Sequence, residues 1–133
     1  MALNPKLSAA SRNLALDAAL DVGNSGTTLI LDGTQATDAD TAIGAQVTLA
    51  SITNNATMFA AASAGSKAAN AFTADSSADA TGTASWYRMR KSGGTAFWDG
   101  SVGTSGANIN FNSTAIQSGA NVNITSFTAT MAV

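Results

Sequence analysis

The stretch that decides the fold is residues 83–102, which read TASWYRMRKSGGTAFWDGSV. Two runs with strand-forming aromatic residues, 83–90 and 95–102, flank the tetrapeptide KSGG at 91–94. Glycine reaches the positive backbone dihedrals of a tight reversal at no steric cost, so this arrangement is typical of a β-hairpin. The sequence therefore predicts two antiparallel strands joined at KSGG.

The predicted hairpin has one face that we expect to be incompletely buried. Side chains alternate along a strand, so Tyr87 and Met89 share one face while Trp86, Arg88 and Arg90 share the other. Burying two guanidinium groups without nearby carboxylates would leave costly unpaired charges. We therefore expect Trp86 either to pack beneath the arginine stems or to lie at a partner interface.

Strand and turn signals recur on both sides of the hairpin. Extended runs at 27–32 and 46–52 precede it, and alternating apolar and Asn residues at 109–112 follow it. The last run, 122–133, changes phase, which indicates a bulge or a strand that bends from one sheet to another. With about seven or eight short strands, the chain is predicted to be mainly β, as an antiparallel β-sandwich or a jelly-roll-like barrel.

An amphipathic helix is predicted before the strands. Asn4 is its predicted N-cap, Pro5 suits its first turn, and Gly23 can end it in the left-handed conformation. Its apolar side comprises Leu7, Ala10, Leu14 and Ala18, widened by Leu16 and Leu20, opposite Lys6, Arg12, Asn13 and Asp17. We expect the apolar side to cover a sheet or to dock on a neighbouring subunit.

The length of 133 residues favours a single domain. We interpret residues 1–23 as a helix or arm and residues 27–133 as the β-sandwich of one domain, 1–133. No segment approaches the roughly 20 apolar residues of a membrane span, and the first residues do not lead into a signal-peptide core. We expect synthesis in a cytoplasm and no membrane partner.

The composition removes most of the usual catalytic apparatus. The chain has no His, no Cys and no Glu, while 29 Ala, 17 Thr and 15 Ser predict a neutral, hydroxyl-rich surface. A Ser–His–Asp relay and Cys-ligated zinc or iron–sulfur sites are therefore impossible. Asp38 and Asp40 are the obvious carboxylate pair, but they lie in a polar stretch typical of a solvated loop. We predict no enzymatic activity, no cofactor and no metal site.

Charge gives little support for nucleic-acid binding. The formal net charge is −2 and the sequence pI is about 4.6, so the chain as a whole is not attracted to a polyphosphate. Arg88, Arg90 and Lys91 form one basic cluster beside Trp86 and Tyr87, and three cations are a weak footprint. We expect no nucleic-acid partner.

Four motifs resemble a family of small virion proteins of tailed bacteriophages. They are DGTQAT at 32–37, FAAASAG at 59–65, ATGTASWYR at 80–88 and DGSVGTSGA at 99–107, and they follow the leading helix in the order that this family has. The similarity extends over nearly the whole chain. Its motifs are turns and strand patterns without chemical groups, so the resemblance implies a structural component of the particle and no particular binding residues.

Among the components of such a particle, the small Ala, Ser, Thr and Gly side chains and the acidic balance favour a capsid cement or decoration protein on the outside of the shell. Its expected partners are the major capsid protein and further copies of itself, as a homotrimer. The residues predicted to lie at partner interfaces are Leu7, Leu14, Trp86, Arg88, Arg90 and Trp98.

Two other functions stay open on the sequence. A tail tube, adaptor or fibre component would have a similar composition. A carbohydrate-binding module would use Trp86, Tyr87 and Trp98 as stacking surfaces.

Overall fold

The computed structural model describes residues 3–132. Within them a helix, α1 (Ala9–Leu20), is followed by a 3₁₀ turn (Asp21–Gly23) and nine strands. The strands are β1 (Thr27–Leu31), β2 (Thr48–Thr53), β3 (Ser66–Ala68), β4 (Gly82–Thr83), β5 (Trp86–Arg90), β6 (Ala96–Gly103), β7 (Ile109–Asn110), β8 (Ala115–Ile116) and β9 (Thr128–Thr130). The described chain is mainly β with one N-terminal helical segment. This confirms the predicted mainly β class and the predicted leading helix.

The predicted hairpin forms the middle of the main sheet. Five strands lie in the order β2-β1-β5-β6-β7 and curl into a half-barrel. The hairpin is the antiparallel pair β5–β6. The Lys91 amide donates to the Thr95 carbonyl at 2.9 Å, and the Gly94 amide donates to the Lys91 carbonyl at 2.9 Å. Gly94 has φ 89°, the conformation for which the turn needs glycine.

The main sheet is mixed, so the expectation of purely antiparallel pairing is wrong. β7 runs parallel to β6, with Val102 opposite Ile109. Parallel neighbours usually need a crossover of about a dozen residues or more. Here side-chain amides hold a short loop instead. Asn108 Oδ1 accepts from the Ser101 amide at 3.0 Å, and Asn110 bonds the Ala107 backbone at 3.1 and 2.9 Å.

Two small sheets, β3–β9 and β4–β8, accompany the main sheet. The core between them is partly aromatic. The Phe127 ring centroid lies 5.9 Å from that of Phe59 and 5.8 Å from that of Tyr87 on the main sheet. The small sheets thus share one core with the half-barrel, but they do not clearly form the second sheet of a sandwich.

The predicted change of phase near the end of the chain lies between two pairing sites. Val122 forms an isolated bridge with Asp75, whereas β9 pairs with β3. Residues 123–127 form no strand, and Ile124 and Phe127 are both buried. Because the chain crosses irregularly between the two sites, residues of both phases reach the same core.

The ends of the helix differ from the prediction. Ser8 is the N-cap instead of Asn4, since Ser8 Oγ accepts from the Ser11 amide at 3.1 Å. Gly23 ends the 3₁₀ turn without a left-handed φ. A Cβ at Gly23 would lie 2.5 Å from the Phe97 ring, so glycine is needed there for space.

Candidate functional site

The helix packs on the rest of the chain through Leu16 and Leu20, which are buried, and through two polar side chains, Asn13 and Asp17. Asn13 Oδ1 accepts from the Gly65 amide at 2.9 Å, and Asp17 Oδ1 accepts from the Ala62 amide at 3.0 Å. These bonds satisfy two backbone donors of the irregular segment that precedes β3. The side of the helix that carries Asn13 and Asp17 therefore faces the chain's own fold.

A buried lysine holds the end of the helix. Lys67, in β3, is 2% exposed, and its Nζ donates to Asp17 and, at 2.7 Å, to Asp21. Burial alone would lower the pKa of Lys67, but its hydrogen bonds and charge interactions with both aspartates together raise that pKa. The hydrogen bond from Lys67 in turn lowers the pKa of Asp17. We call these three residues the lysine clamp.

The clamp leaves an apolar side of the helix in solvent. Leu16 and Leu20 are buried, but Leu7 and Leu14 are 54% and 72% exposed. We define the apolar stripe as Leu7, Ala10, Leu14 and Ala18, all of which are exposed. The expectation that this stripe covers a sheet of the same chain is wrong, and its docking on a neighbouring subunit stays a prediction.

Trp86 is covered by the chain's own loop. It is 1% exposed, and its Nε1 donates to the Asp32 carbonyl at 2.8 Å. With Leu29, Leu31 and the partly buried Ile43 it forms a small second core. Trp86 is thus not displayed at the surface of the described chain.

Arg88 is buried beside Trp86, whereas Arg90 on the same face is half-buried, so the face is incompletely buried as expected. It is 3% exposed, and it donates to the two carboxylate oxygens of Asp99 at 2.8 and 2.6 Å. It also donates to the carbonyls of Thr41 and Asp38 at 2.7 and 3.0 Å. Its guanidinium carbon lies 5.4 Å from the Trp86 ring centroid. Arg88 therefore ties the loop over Trp86 to the main sheet.

The other two hairpin residues predicted for an interface are partly exposed. Arg90 is half-buried at the end of β5. Trp98 is half-buried too, and its ring centroid lies 6.3 Å from that of Tyr87 and 5.3 Å from that of Phe127. Trp98 thus packs on the aromatic part of the main core.

The structure separates the six predicted interface residues into three groups. Leu7 and Leu14 are exposed, Arg90 and Trp98 are intermediate, and Trp86 and Arg88 are buried. The aromatic stacking surface proposed for carbohydrates loses two members, because Tyr87 is also fully buried. Of the six residues, the two that belong to the stripe, Leu7 and Leu14, are thus the ones that are fully accessible to a partner.

The Asp38–Asp40 stretch forms a turn. Asp38 Oδ1 accepts from the Thr41 amide and hydroxyl, both at 2.8 Å, and these bonds, first that from the hydroxyl, lower the pKa of Asp38. This confirms the loop interpretation for Asp38. Among residues 3–132, no three acidic, His or Cys side chains are grouped so that they could hold a metal ion.

No helix within the described chain has the length and apolar character needed to cross a membrane. Comparisons of the chain with protein-family models, curated proteins and solved structures find no match. The resemblance to phage virion proteins therefore stays a hypothesis.

Proposed function

We propose that this chain is a structural protein of a tailed-bacteriophage particle, and specifically a capsid cement or decoration protein that stabilises the shell by protein–protein contacts. The observation that carries the proposal is the exposed apolar stripe. Leu16, Leu20 and the hydrogen bonds of Asn13 and Asp17 hold the helix on its own chain, whereas Leu7 and Leu14 are exposed.

The arrangement of the stripe supports a contact with another protein. Single exposed apolar residues are ordinary on protein surfaces. Ala10, Leu14 and Ala18, however, recur four positions apart, so they lie next to one another along one side of the helix, and Leu7 lies just before its N-cap, Ser8. Leu3, which is 95% exposed, adds a further apolar side chain before the helix. The lysine clamp on the other side keeps this surface directed outward.

The partner of the stripe in this proposal is the major capsid protein, and copies of the chain associate as a homotrimer on the outside of the shell. Small Ala, Ser and Thr side chains lose little rotamer entropy when they are ordered, which favours close contacts between subunits. The net charge of −2 suits a position away from the packaged genome. The protein acts without catalysis, cofactor, nucleic acid or membrane.

The architecture that we propose for this function is a distorted sandwich or jelly roll. In this interpretation β3–β9 and β4–β8 represent an incomplete second layer over the curled main sheet. The shared core supports it, since Phe127 contacts both Phe59 and Tyr87.

A reconstruction of the intact virion tests the proposal. We expect density for this chain on the outer surface of the shell, in groups of three, with the stripe against the shell protein. Density in the tail tube, adaptor or fibre would replace the cement function by the tail-associated one. If mass spectrometry finds the chain absent from purified particles, both virion functions are wrong.

A further inference from the structure

A cleft opens beside β7, at the edge of the main sheet. It lies between residues 110–116 and 120–125 and has a volume of about 240 Å³. Pockets for drug-sized ligands usually measure roughly 300–1,000 Å³, so this cleft suits one small unit of a larger molecule. None of the six predicted interface residues lines it.

Asparagine side chains dominate the polar part of the cleft. Asn110 is engaged with the Ala107 backbone, which fixes the loop before β7. Asn112, Asn121 and Asn123 also line the cleft, and all three are exposed. Within residues 3–132 their side-chain amides make no hydrogen bond to protein. Since each primary amide has two N–H donors and an acceptor oxygen, three complete sets of polar groups are available to a ligand.

The remaining lining is apolar or uncharged. Phe111 is half-buried and packs on the main core, and Ile116 and Val122 are buried members of that core. Among the described residues that line the cleft there is no Asp, Lys or Arg. A charged ligand would lose hydration there without gaining a charged partner, and this loss disfavours anions and cations alike.

We propose that this cleft binds a neutral carbohydrate unit. Sugar hydroxyls donate and accept hydrogen bonds, which matches the paired donors and acceptors of Asn112, Asn121 and Asn123. The C–H face of a sugar ring packs on Phe111. This site is distinct from the predicted aromatic surface, and it does not depend on the proposed virion function.

The strands at the cleft favour a sugar over a peptide. A peptide that adds to a sheet gains most of its affinity from a row of main-chain hydrogen bonds. β7 and β8, which contribute residues to the cleft, are only two residues long each. Such short strands offer few of those bonds, whereas side-chain amides can bind hydroxyl groups individually.

Titration of the ¹⁵N-labelled full chain with neutral oligosaccharides tests the site by NMR. The probes are maltotriose, mannotriose and triacetylchitotriose, with sialyllactose as the acidic comparison. For at least one neutral probe we expect the side-chain amide signals of Asn112, Asn121 and Asn123 to shift, with saturation on the order of millimolar concentrations. Sialyllactose should cause smaller shifts at the same concentrations.

A matched pair of variants locates the binding. Asn121→Ala with Asn123→Ala should weaken the response by about tenfold or more. Gln117→Ala removes an exposed amide that does not line the cleft and should leave the response unchanged. A thermal melt of each variant verifies its folding.

Two results would overturn the proposal. The first is that no neutral probe moves the asparagine signals, and the second is that the double variant binds sugar as the unchanged chain does. If the first result is found and the double variant also alters oligomer size by sedimentation, the cleft is a subunit contact instead.

Discussion

At the scale of single residues, Arg88 owes its pairing to one irregularity in the hairpin. If residues are counted back from the Arg90–Ala96 pair without a bulge, Trp98 stands opposite Arg88. In the structure the register shifts between Met89 and Arg90, and Asp99 stands opposite Arg88 instead. Alternation along the strand predicts which face Arg88 occupies, but not this shift. That is why the sequence predicts an unpaired guanidinium where the fold supplies a carboxylate.

Asp99→Asn tests the importance of this buried pair. The change keeps the shape of the side chain but leaves the Arg88 charge without its carboxylate, where both side chains are under 5% exposed. Breaking one side of a buried pair usually costs about 3–5 kcal/mol, and we expect a loss near the lower value because two carbonyls still accept from Arg88. Urea unfolding measures the loss.

Two companion variants control this measurement. Arg90→Met alters the half-buried neighbouring arginine and should change the free energy of unfolding by less than about 1 kcal/mol. Arg88→Met combined with Asp99→Leu removes both charges and should cost less than Asp99→Asn alone. A cost for Asp99→Asn of under about 1 kcal/mol, as for a surface pair, would contradict the predicted role.

At the scale of elements, the helix shows how far local patterns reach. Its existence follows from its spacing and composition, and the burial of Leu16 and Leu20 agrees with the predicted apolar side. Its orientation does not follow from them, because Asp17 meets Lys67, which lies 50 residues further along the chain. The sequence of the helix alone does not indicate that its polar residues will form ion pairs with a buried cation from a distant strand. The stripe is therefore identified as exposed only in the folded chain.

The lysine clamp predicts that the stability of the folded chain decreases both in acid and in alkaline solution. The pKa of Asp17 is below its ordinary 3.8 in the folded chain, so its contribution is complete above that value and declines as pH falls through the lowered pKa. The pKa of Lys67 is above its ordinary 10.5, so its contribution is complete below 10.5 and declines as pH rises through the raised pKa. We expect helix docking to be firmest between these limits.

Lys67→Met isolates the acid side of this dependence. Without the cation, the pKa of Asp17 returns toward its ordinary value, so the loss of stability from neutral pH to about pH 3 should become smaller. Urea unfolding at several pH values measures the slope of the free energy of unfolding against pH. Part of this slope should persist in Lys67→Met, because the pKa of Asp38 is also lowered. Lys91→Met, in the exposed hairpin turn, should leave the slope unchanged. Equal slopes for Lys67→Met and the unchanged chain would show that the clamp does not couple docking to protonation.

At the scale of the whole molecule, the cleft beside β7 is formed by segments that are separated in the sequence and lie together in the fold. The alternation of Asn with Ile109 and Phe111 is visible in the sequence, and so are Asn121 and Asn123. The sequence does not show that these two segments face each other across a cleft. Their placement depends on the parallel pairing of β7 and on the irregular crossing of the chain after Val122. The mainly β class follows from local signals, whereas the mixed sheet and the cleft follow from tertiary placement.

The last prediction concerns the stripe as an anchoring surface. Leu7→Ser with Leu14→Ser should change the free energy of unfolding by no more than about 0.5 kcal/mol, because both side chains are exposed. Burying each leucine in a partner contributes about 1.5–3 kcal/mol, so the pair should weaken attachment to the shell by at least about 100-fold. Titration onto particles that lack the protein measures attachment. Val47→Ser, a change at a 45%-exposed apolar residue away from the helix, should attach normally. Normal attachment of the double variant would mean that the shell is held by another surface, whereas loss with Val47→Ser as well would indicate a general dependence on exposed apolar area.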